Sequence, residues 1–245
     1  MPLPKQNGPR ILALWSAPRC RSTAFMRMMA ERGDFLVVHE PFSHVADFGV
    51  AEVGPLRASS EAEVIAALRE LSARRPVFFK DTTDFHYPGL LADSAFLAEA
   101  THTFIIRHPR EAIASHFALN PSLKQDEVGF ARLAGIYDAV EATGREPLVV
   151  DSDLLMARPA DTVAAYCAGV GIAYREEALS WQPGMREEWR RTRRWHESTS
   201  RTKGFAEVAS PYETTTDNNA TLAGYLRFHL PFYEKLLARR MTLPS

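Results

Sequence analysis

The chain reads as an α/β fold in which a central parallel sheet is covered by helices on both faces. Three observations predict it. Short apolar, β-branched runs recur along the sequence, helical patterns fill the gaps between them, and the first run passes through a turn rich in arginine and hydroxyl residues straight into a helix. Strand, anion-sized loop and helix form the entry unit of a doubly wound nucleotide-binding sheet, because a helix N-terminus offers unpaired N–H groups and a positive dipole end to an anion. With 245 residues, 46% of them hydrophobic, the chain is long enough for one well-buried domain. A single domain over residues 1–245 is expected, with 181–245 as a basic flap and a C-terminal helical extension.

In chain order, the runs 11–15, 35–38, 77–79, 103–106 and 148–150 read as buried strands. Between them, 23–31 carries Phe25, Met26 and Met29 at helical spacing, and 61–73 places Val64, Leu68 and Leu71 on one face. Pro109 stands where the first residue of the next helix belongs. From 42 to 60 the pattern lapses into Gly, Pro and small residues just after a strand end, which predicts a substrate loop. A last amphipathic helix is expected over 222–240, kinked at Pro231.

Charge narrows the partners. Lys and Arg number 29 against 30 Asp and Glu, so no global basic field recruits nucleic acid or an anionic membrane, and a small molecule is expected instead. The basic stretch 186–194, interleaved with Trp189 and followed by Trp195, also contains Glu187 and Glu188, which points to a solvated helix or a flap near a ligand. The chain opens Met1-Pro-Leu-Pro-Lys without a charged and then apolar leader pattern, and no run approaches the roughly 18 apolar residues of a membrane span. With two cysteines, Cys20 and Cys167, a reducing cytoplasmic setting is expected, with Cys20 a free thiol.

Two motifs carry chemistry. The first is Pro18-Arg-Cys-Arg-Ser-Thr23, where Arg19, Cys20, Arg21, Ser22 and Thr23 occupy the position of a phosphate cradle without the glycine run and Gly-Lys-Ser/Thr ending of a Walker loop. The second begins at Arg107, at the tip of the fourth strand, and reaches Ser115 on the helix that Pro109 starts. An arginine fork and a hydroxyl at a strand-helix junction make a second phosphate site, so the ligand is expected to carry phosphate at two places. The plain reading of Arg107 is a surface ion pair with Glu111.

The pair of motifs resembles the sulfotransferases that use 3′-phosphoadenosine 5′-phosphosulfate (PAPS). Pro18-Arg-Cys-Arg-Ser-Thr23 looks like their 5′-phosphosulfate loop, and Arg107, Pro109, Glu111 and Ser115 match every defined position of their Arg-x-Pro-x-Asp/Glu-x-x-x-Ser motif for the 3′-phosphate. A looser likeness covers Val150-Asp-Ser-Asp-Leu154, Arg158-Pro159 and Val170-Gly-Ile172, and Arg201-Thr-Lys203-Gly204 echoes the family's Arg-Lys-Gly. Two departures stand out. Arg21 replaces the loop glycine, putting a β-carbon where φ > 0 costs on the order of 1 kcal/mol, and Arg19 replaces a lysine.

The resemblance implies a P-loop-like three-layer fold and sulfo transfer from PAPS to a hydroxyl, or secondarily an amine, of a small acceptor. It implies PAPS as co-substrate and no metal. It also supplies candidate roles. Lys80 opens Lys80-Asp-Thr-Thr-Asp-Phe-His86-Tyr-Pro88, similar to a stretched Lys-Thr-His-Leu-Pro, so His86 is the first candidate base with Lys80 steadying the transferring group. His39-Glu40-Pro-Phe42 resembles the Glu-Pro segment of other branches, which makes Glu40 the second candidate. The plain readings are a loop histidine for His86 and an ion pair with Arg19 for Glu40. Asp151 and Asp153, at i and i+2 after a strand, make a poor metal set and read as structural. A cysteine-phosphatase reading of Cys20-Arg-Ser22 fails because Trp15 stands at the nucleophile position. A P-loop kinase-like phosphotransferase, or a nucleotide-binding protein without turnover, is the alternative.

Overall fold

All five expected strands lie side by side in one parallel sheet, in the order Leu36–His39, Val77–Thr82, Ile11–Ser16, Thr101–Ile106 and Leu148–Asp151, so every strand delivers its carboxyl end to the same edge. The computed structural model describes residues 8–206 and 212–243; the remainder of the expected 1–245 domain, including part of its C-terminal extension, lies outside the described residues. The strands are β1 (Ile11–Ser16), β2 (Leu36–His39), β5 (Val77–Thr82), β6 (Thr101–Ile106) and β7 (Leu148–Asp151), while β3 (Ala51–Val53) and β4 (Leu56–Ala58) form a separate antiparallel hairpin. The helices are α1 (Ser22–Glu31), α2 (Pro41–Phe48), α3 (Glu61–Arg74), α4 (Pro88–Ala92), α5 (Ser94–Glu99), α6 (Pro109–Leu119), α7 (Phe130–Glu141), α8 (Ser152–Ala157), α9 (Pro159–Val170), α10 (Glu197–Ser200) and α11 (Ala220–Leu237).

Strand alternation divides the core. Ala13, Trp15, Phe79, Phe104 and Ile106 pack on one face with residues of α3, α5, α7 and α11, whereas Leu12, Leu14, Phe78, Ile105 and Val150 pack on the other with Phe25, Met29, Val163 and Tyr166 of α1 and α9. Helices therefore cover both faces, as near-continuous apolar strands require. Cross-register pairs Ser16↔Thr82 and Ser16↔Ile105 bring the ends of the three central strands level, the position at which open α/β sheets bind ligands.

One expectation is corrected. Residues 42–60 are not a loop: they fold into most of α2 and the β3–β4 hairpin. Helix α2 has Pro41 at its first turn and no side-chain cap of its own, and the Asp81 carboxylate of β5 accepts from the N–H of Phe42 (2.7 Å) and of Ser43 (3.2 Å) in its place. Pro231 lies inside α11 without ending it. No helix among the described residues is long and apolar enough to cross a membrane.

Candidate functional site

A cleft of about 1360 Å³ opens along the carboxyl edge of the sheet, and three strand-helix junctions line it. At the first, between β1 and α1, Arg19 (φ 68°) and Arg21 (φ 65°) both hold left-handed backbone without being glycine. Each such residue costs on the order of 1–2 kcal/mol, so the rest of the fold must hold the turn in place. Long-range ties do so. Arg19 Nε donates to Ser115 Oγ at 3.0 Å and its Nη1 to the Trp195 carbonyl at 2.8 Å, while Arg21 pairs with the Asp153 carboxylate and reaches the Ser152 carbonyl at 3.3 Å. Ser22 and Thr23 line the cleft at the start of α1, which no side chain caps. Cys20 points the other way, fully buried in the core, and burial pushes its thiol up to about 12. It is a free, protonated cysteine that does not line the cleft.

The second junction joins β6 to α6, where Pro109 occupies the first turn and the His108 ring accepts from the Arg110 N–H at 3.2 Å. Arg107 lies in the cleft, with Nη1 3.5 Å from the Arg19 carbonyl and Nη2 3.8 Å from Glu111. The expected pairing with Glu111 thus exists, yet the Arg107 side chain is only 14% exposed and its buried Nε meets no partner among the described residues. Ser115, about two turns into α6, is buried beside Arg19.

At the third junction, between β2 and α2, Glu40 also holds left-handed backbone (φ 45°), its N–H fixed to the Lys80 carbonyl at 2.7 Å. Its carboxylate pairs with the Lys80 ammonium, and not with Arg19. Burial pushes the Glu40 carboxyl up, but the pull of Lys80, with smaller help from His39 and His196, outweighs it and holds the group well below the usual carboxylate range. Next along β5, Asp81 is pushed up to about 7 by burial and the Glu40 charge. Asp84, which lines the cleft and accepts from Thr82 Oγ1 at 2.8 Å, is pushed up to about 6 by burial and then by Glu40.

Residues between Thr192 and Gly204 line one side of the cleft. Residues 187–195 form short 3₁₀ turns instead of one helix, with Trp189 fully buried. Trp195 carries the Arg194 guanidinium 4.6 Å above its ring and faces Arg19 at 5.9 Å. His196 stacks on Trp189 at 5.2 Å and joins Thr23 Oγ1 (3.1 Å) to Thr192 Oγ1 (3.0 Å). Burial pushes the His196 ring down to about 3, so it is neutral at physiological pH. Arg201 and Gly204 line the cleft, whereas the Lys203 side chain is exposed away from it. Gly204 is tied to that place by close packing: a β-carbon there would stand 2.9 Å from the Leu179 carbonyl.

The cleft therefore brings together Arg19, Arg21, Ser22, Thr23, Glu40, Lys80, Arg107, Ser115, Arg201 and Gly204. It does not include His86. That side chain is exposed beyond the end of β5 and lines a separate depression of about 280 Å³ with Tyr87 and Arg132. The chain leaves the strand after Thr82, so the extra residues between Lys80 and the histidine carry His86 away from the lysine. Asp151 caps α8 by accepting from Asp153 N–H at 2.9 Å. Sequence reading missed Thr82, Asp84, His44 and His196 as lining residues. Thr82 was marked by the period of two along the strand from Lys80; Asp84, past the strand's end, His44 and His196 carry no local signal.

One set of side chains has metal-ligand character: the ligand atoms of His39, Glu40 and His44 lie within 4.8 Å of one another. The Lys80 ammonium already sits on the Glu40 carboxylate and opposes a second cation there.

The chain is 25% identical over 251 residues to "Branched-chain-amino-acid aminotransferase-like protein 2" of Arabidopsis thaliana, and 25% identical over 258 residues to protein 1 of that name. These matches cover 96% and 97% of this chain but only 44% and 45% of those proteins, so the chain spans less than half the length of the curated relatives it matches. Among solved structures it is similar to a sulfotransferase domain from the curacin biosynthetic pathway (13% identity, TM-score 0.44, covering 96% of this chain and 93% of that one). It is also similar to one from the Synechococcus PCC 7002 olefin synthase (15%, TM-score 0.42, covering 99% and 92%). The model of the sulfotransferase domain family matches residues 9–240, and the chain belongs to that family.

Proposed function

We propose that this protein transfers a sulfo group from PAPS to a hydroxyl, or secondarily an amine, of a small acceptor by in-line displacement. The observation that carries the reading is the meeting of two anion motifs 96 positions apart in sequence, Arg19 Nε donating to Ser115 Oγ at 3.0 Å inside one cleft. A ligand phosphorylated at two places spans both. Arg107, with its unpartnered buried Nε, and Ser115 receive the 3′-phosphate. Arg21, Ser22, Thr23 and the N-terminus of α1 receive the 5′-phosphosulfate, with Arg19 between the two groups.

In the reaction the acceptor oxygen bonds to sulfur as the bond from sulfur to the 5′-phosphate oxygen breaks. Lys80 and the loop arginines absorb the charge that grows on the leaving phosphate, as in the analogous phosphoryl transfer. Glu40 is the base. Held at low basicity while Lys80 is on it, Glu40 gains proton affinity as the ammonium turns to the leaving oxygen, and takes the acceptor proton at that moment.

Calorimetric titration with 3′,5′-adenosine bisphosphate, AMP and ATP tests the reading. The bisphosphate binds tightest, by at least tenfold over either competitor. Equal or tighter binding of ATP would replace the sulfotransferase reading with a phosphotransferase one, and no binding of any of the three would remove both.

A further inference from the structure

The two halves of the cleft carry opposite charge. Around the first two junctions arginines prevail. The inner half, built by β2–α2, the end of β5 and residues 117–127, is lined by the carboxylates of Glu40, Asp47, Asp84 and Glu127 against a single lysine, Lys80, which Glu40 already neutralises. Asp84 is the anomaly within it. Its carboxylate accepts from Thr82 Oγ1 and has no cation within ion-pair distance among the described residues. The nearby Arg132 reaches the backbone carbonyl of Asp84 and pairs with Asp126. A half-buried carboxylate without a counter-ion bears a desolvation cost, and an ammonium brought by a ligand would relieve it.

A second observation is independent of the acids. His44, 6% exposed, lines the same half of the cleft, and its buried Nε2 meets no hydrogen-bond partner among the described residues. Burial holds the ring neutral, so in the tautomer with the proton on Nδ1 this nitrogen accepts from an N–H or O–H donor without repelling a cation. Phe85, Phe117 and Leu119 give the inner half an apolar wall.

We propose that the acceptor is a cationic amphiphile whose ammonium seats on Asp84, whose apolar body lies against Phe85 and Phe117, and whose hydroxyl faces Lys80. The assignment rests on the sulfotransferase reading above and names the acceptor class for it. An anionic acceptor meets repulsion from this wall, and a neutral one leaves Asp84 unpaired.

The test uses three phenols of matched size on protein saturated with 3′,5′-adenosine bisphosphate: 4-(2-aminoethyl)phenol, 4-ethylphenol and 3-(4-hydroxyphenyl)propanoate. Calorimetry at pH 7.5 is expected to rank the cationic phenol at least tenfold tighter than the neutral one, with the anionic phenol weakest. In Asp84→Asn the cationic preference falls to within about threefold, while the bisphosphate binds as in the wild type and certifies the fold. Tighter binding of the neutral or anionic phenol, no binding of any phenol, or an undiminished preference in Asp84→Asn overturns the proposal and leaves the donor reading standing. Failure of the wild type to bind the bisphosphate overturns the donor reading itself.

Discussion

The junctions after β1 and after β6 each carry an arginine motif, yet they are built in opposite ways. After β6 the backbone turn is set locally, although Arg107 and Ser115 reach Arg19: Pro109 occupies the first turn of α6, His108 caps it, and no residue from Arg107 to Ser115 has positive φ. After β1, two arginines stand in left-handed backbone, and groups more than 90 residues away hold them. The difference teaches where each motif's shape is encoded. The second junction is specified by its own sequence. The first is specified by the assembled fold, which is why an arginine can stand where the family's loop carries glycine.

Among ligand-binding effects, that of Arg107→Ala should be the largest. The second junction should keep its shape and lose its charge, so the affinity for 3′,5′-adenosine bisphosphate falls by about 3 kcal/mol, roughly a hundredfold, with little change in melting temperature. Titration and a thermal scan on the same sample read both quantities. At the third junction, Lys80→Ala leaves the buried Glu40 carboxylate without its cation, and denaturant unfolding should show a loss of about 3–5 kcal/mol at pH 7.

Arg21→Gly sharpens the contrast at the first junction. Glycine removes the strain at φ 65° but also the pairing with Asp153, which is 52% exposed. Relief and loss each amount to about 1 kcal/mol, so stability should stay within about 1 kcal/mol of wild type while bisphosphate affinity drops about tenfold. A stability loss near 3 kcal/mol would show that the arginine is a structural staple and the strain incidental. The effect expected at Asp84 is confined to neutral and higher pH. Its carboxyl is raised to about 6, so protonation favours the folded state and that contribution disappears as pH rises through 6. Asp84→Asn should therefore stabilise the protein by about 1–2 kcal/mol at pH 7.5 and by nothing measurable at pH 4, in paired urea melts.

The fold was legible because parallel strands buried on both faces write themselves as apolar runs, and all five were read within a few residues of their ends. Residues 42–60 were not. Helix α2 takes its cap from Asp81, a residue 39 positions beyond Phe42, and a hairpin with three-residue strands leaves too short a pattern to register. At the site, Arg19, Arg21, Arg107 and Ser115 were legible as residue types at fixed spacing, but the bond from Arg19 to Ser115 was not, since no local pattern encodes it. His86 drew attention as the histidine after Lys80, although the strand ends at Thr82 and carries the chain past the cleft. Asp84 stood in the same stretch and was overlooked. Its importance comes from partial burial and a missing counter-ion, which composition and spacing do not reveal.

On the proposed function, the two junctions bind two different phosphates of one nucleotide. The most direct test compares 3′,5′-adenosine bisphosphate with AMP on wild type, Arg107→Ala and Arg21→Ala, taking the affinity difference between the two ligands as the contribution of the 3′-phosphate. That difference should nearly vanish in Arg107→Ala and persist in Arg21→Ala, where both ligands weaken together. A difference that survives in Arg107→Ala, or disappears in Arg21→Ala, would contradict the assignment of the junctions.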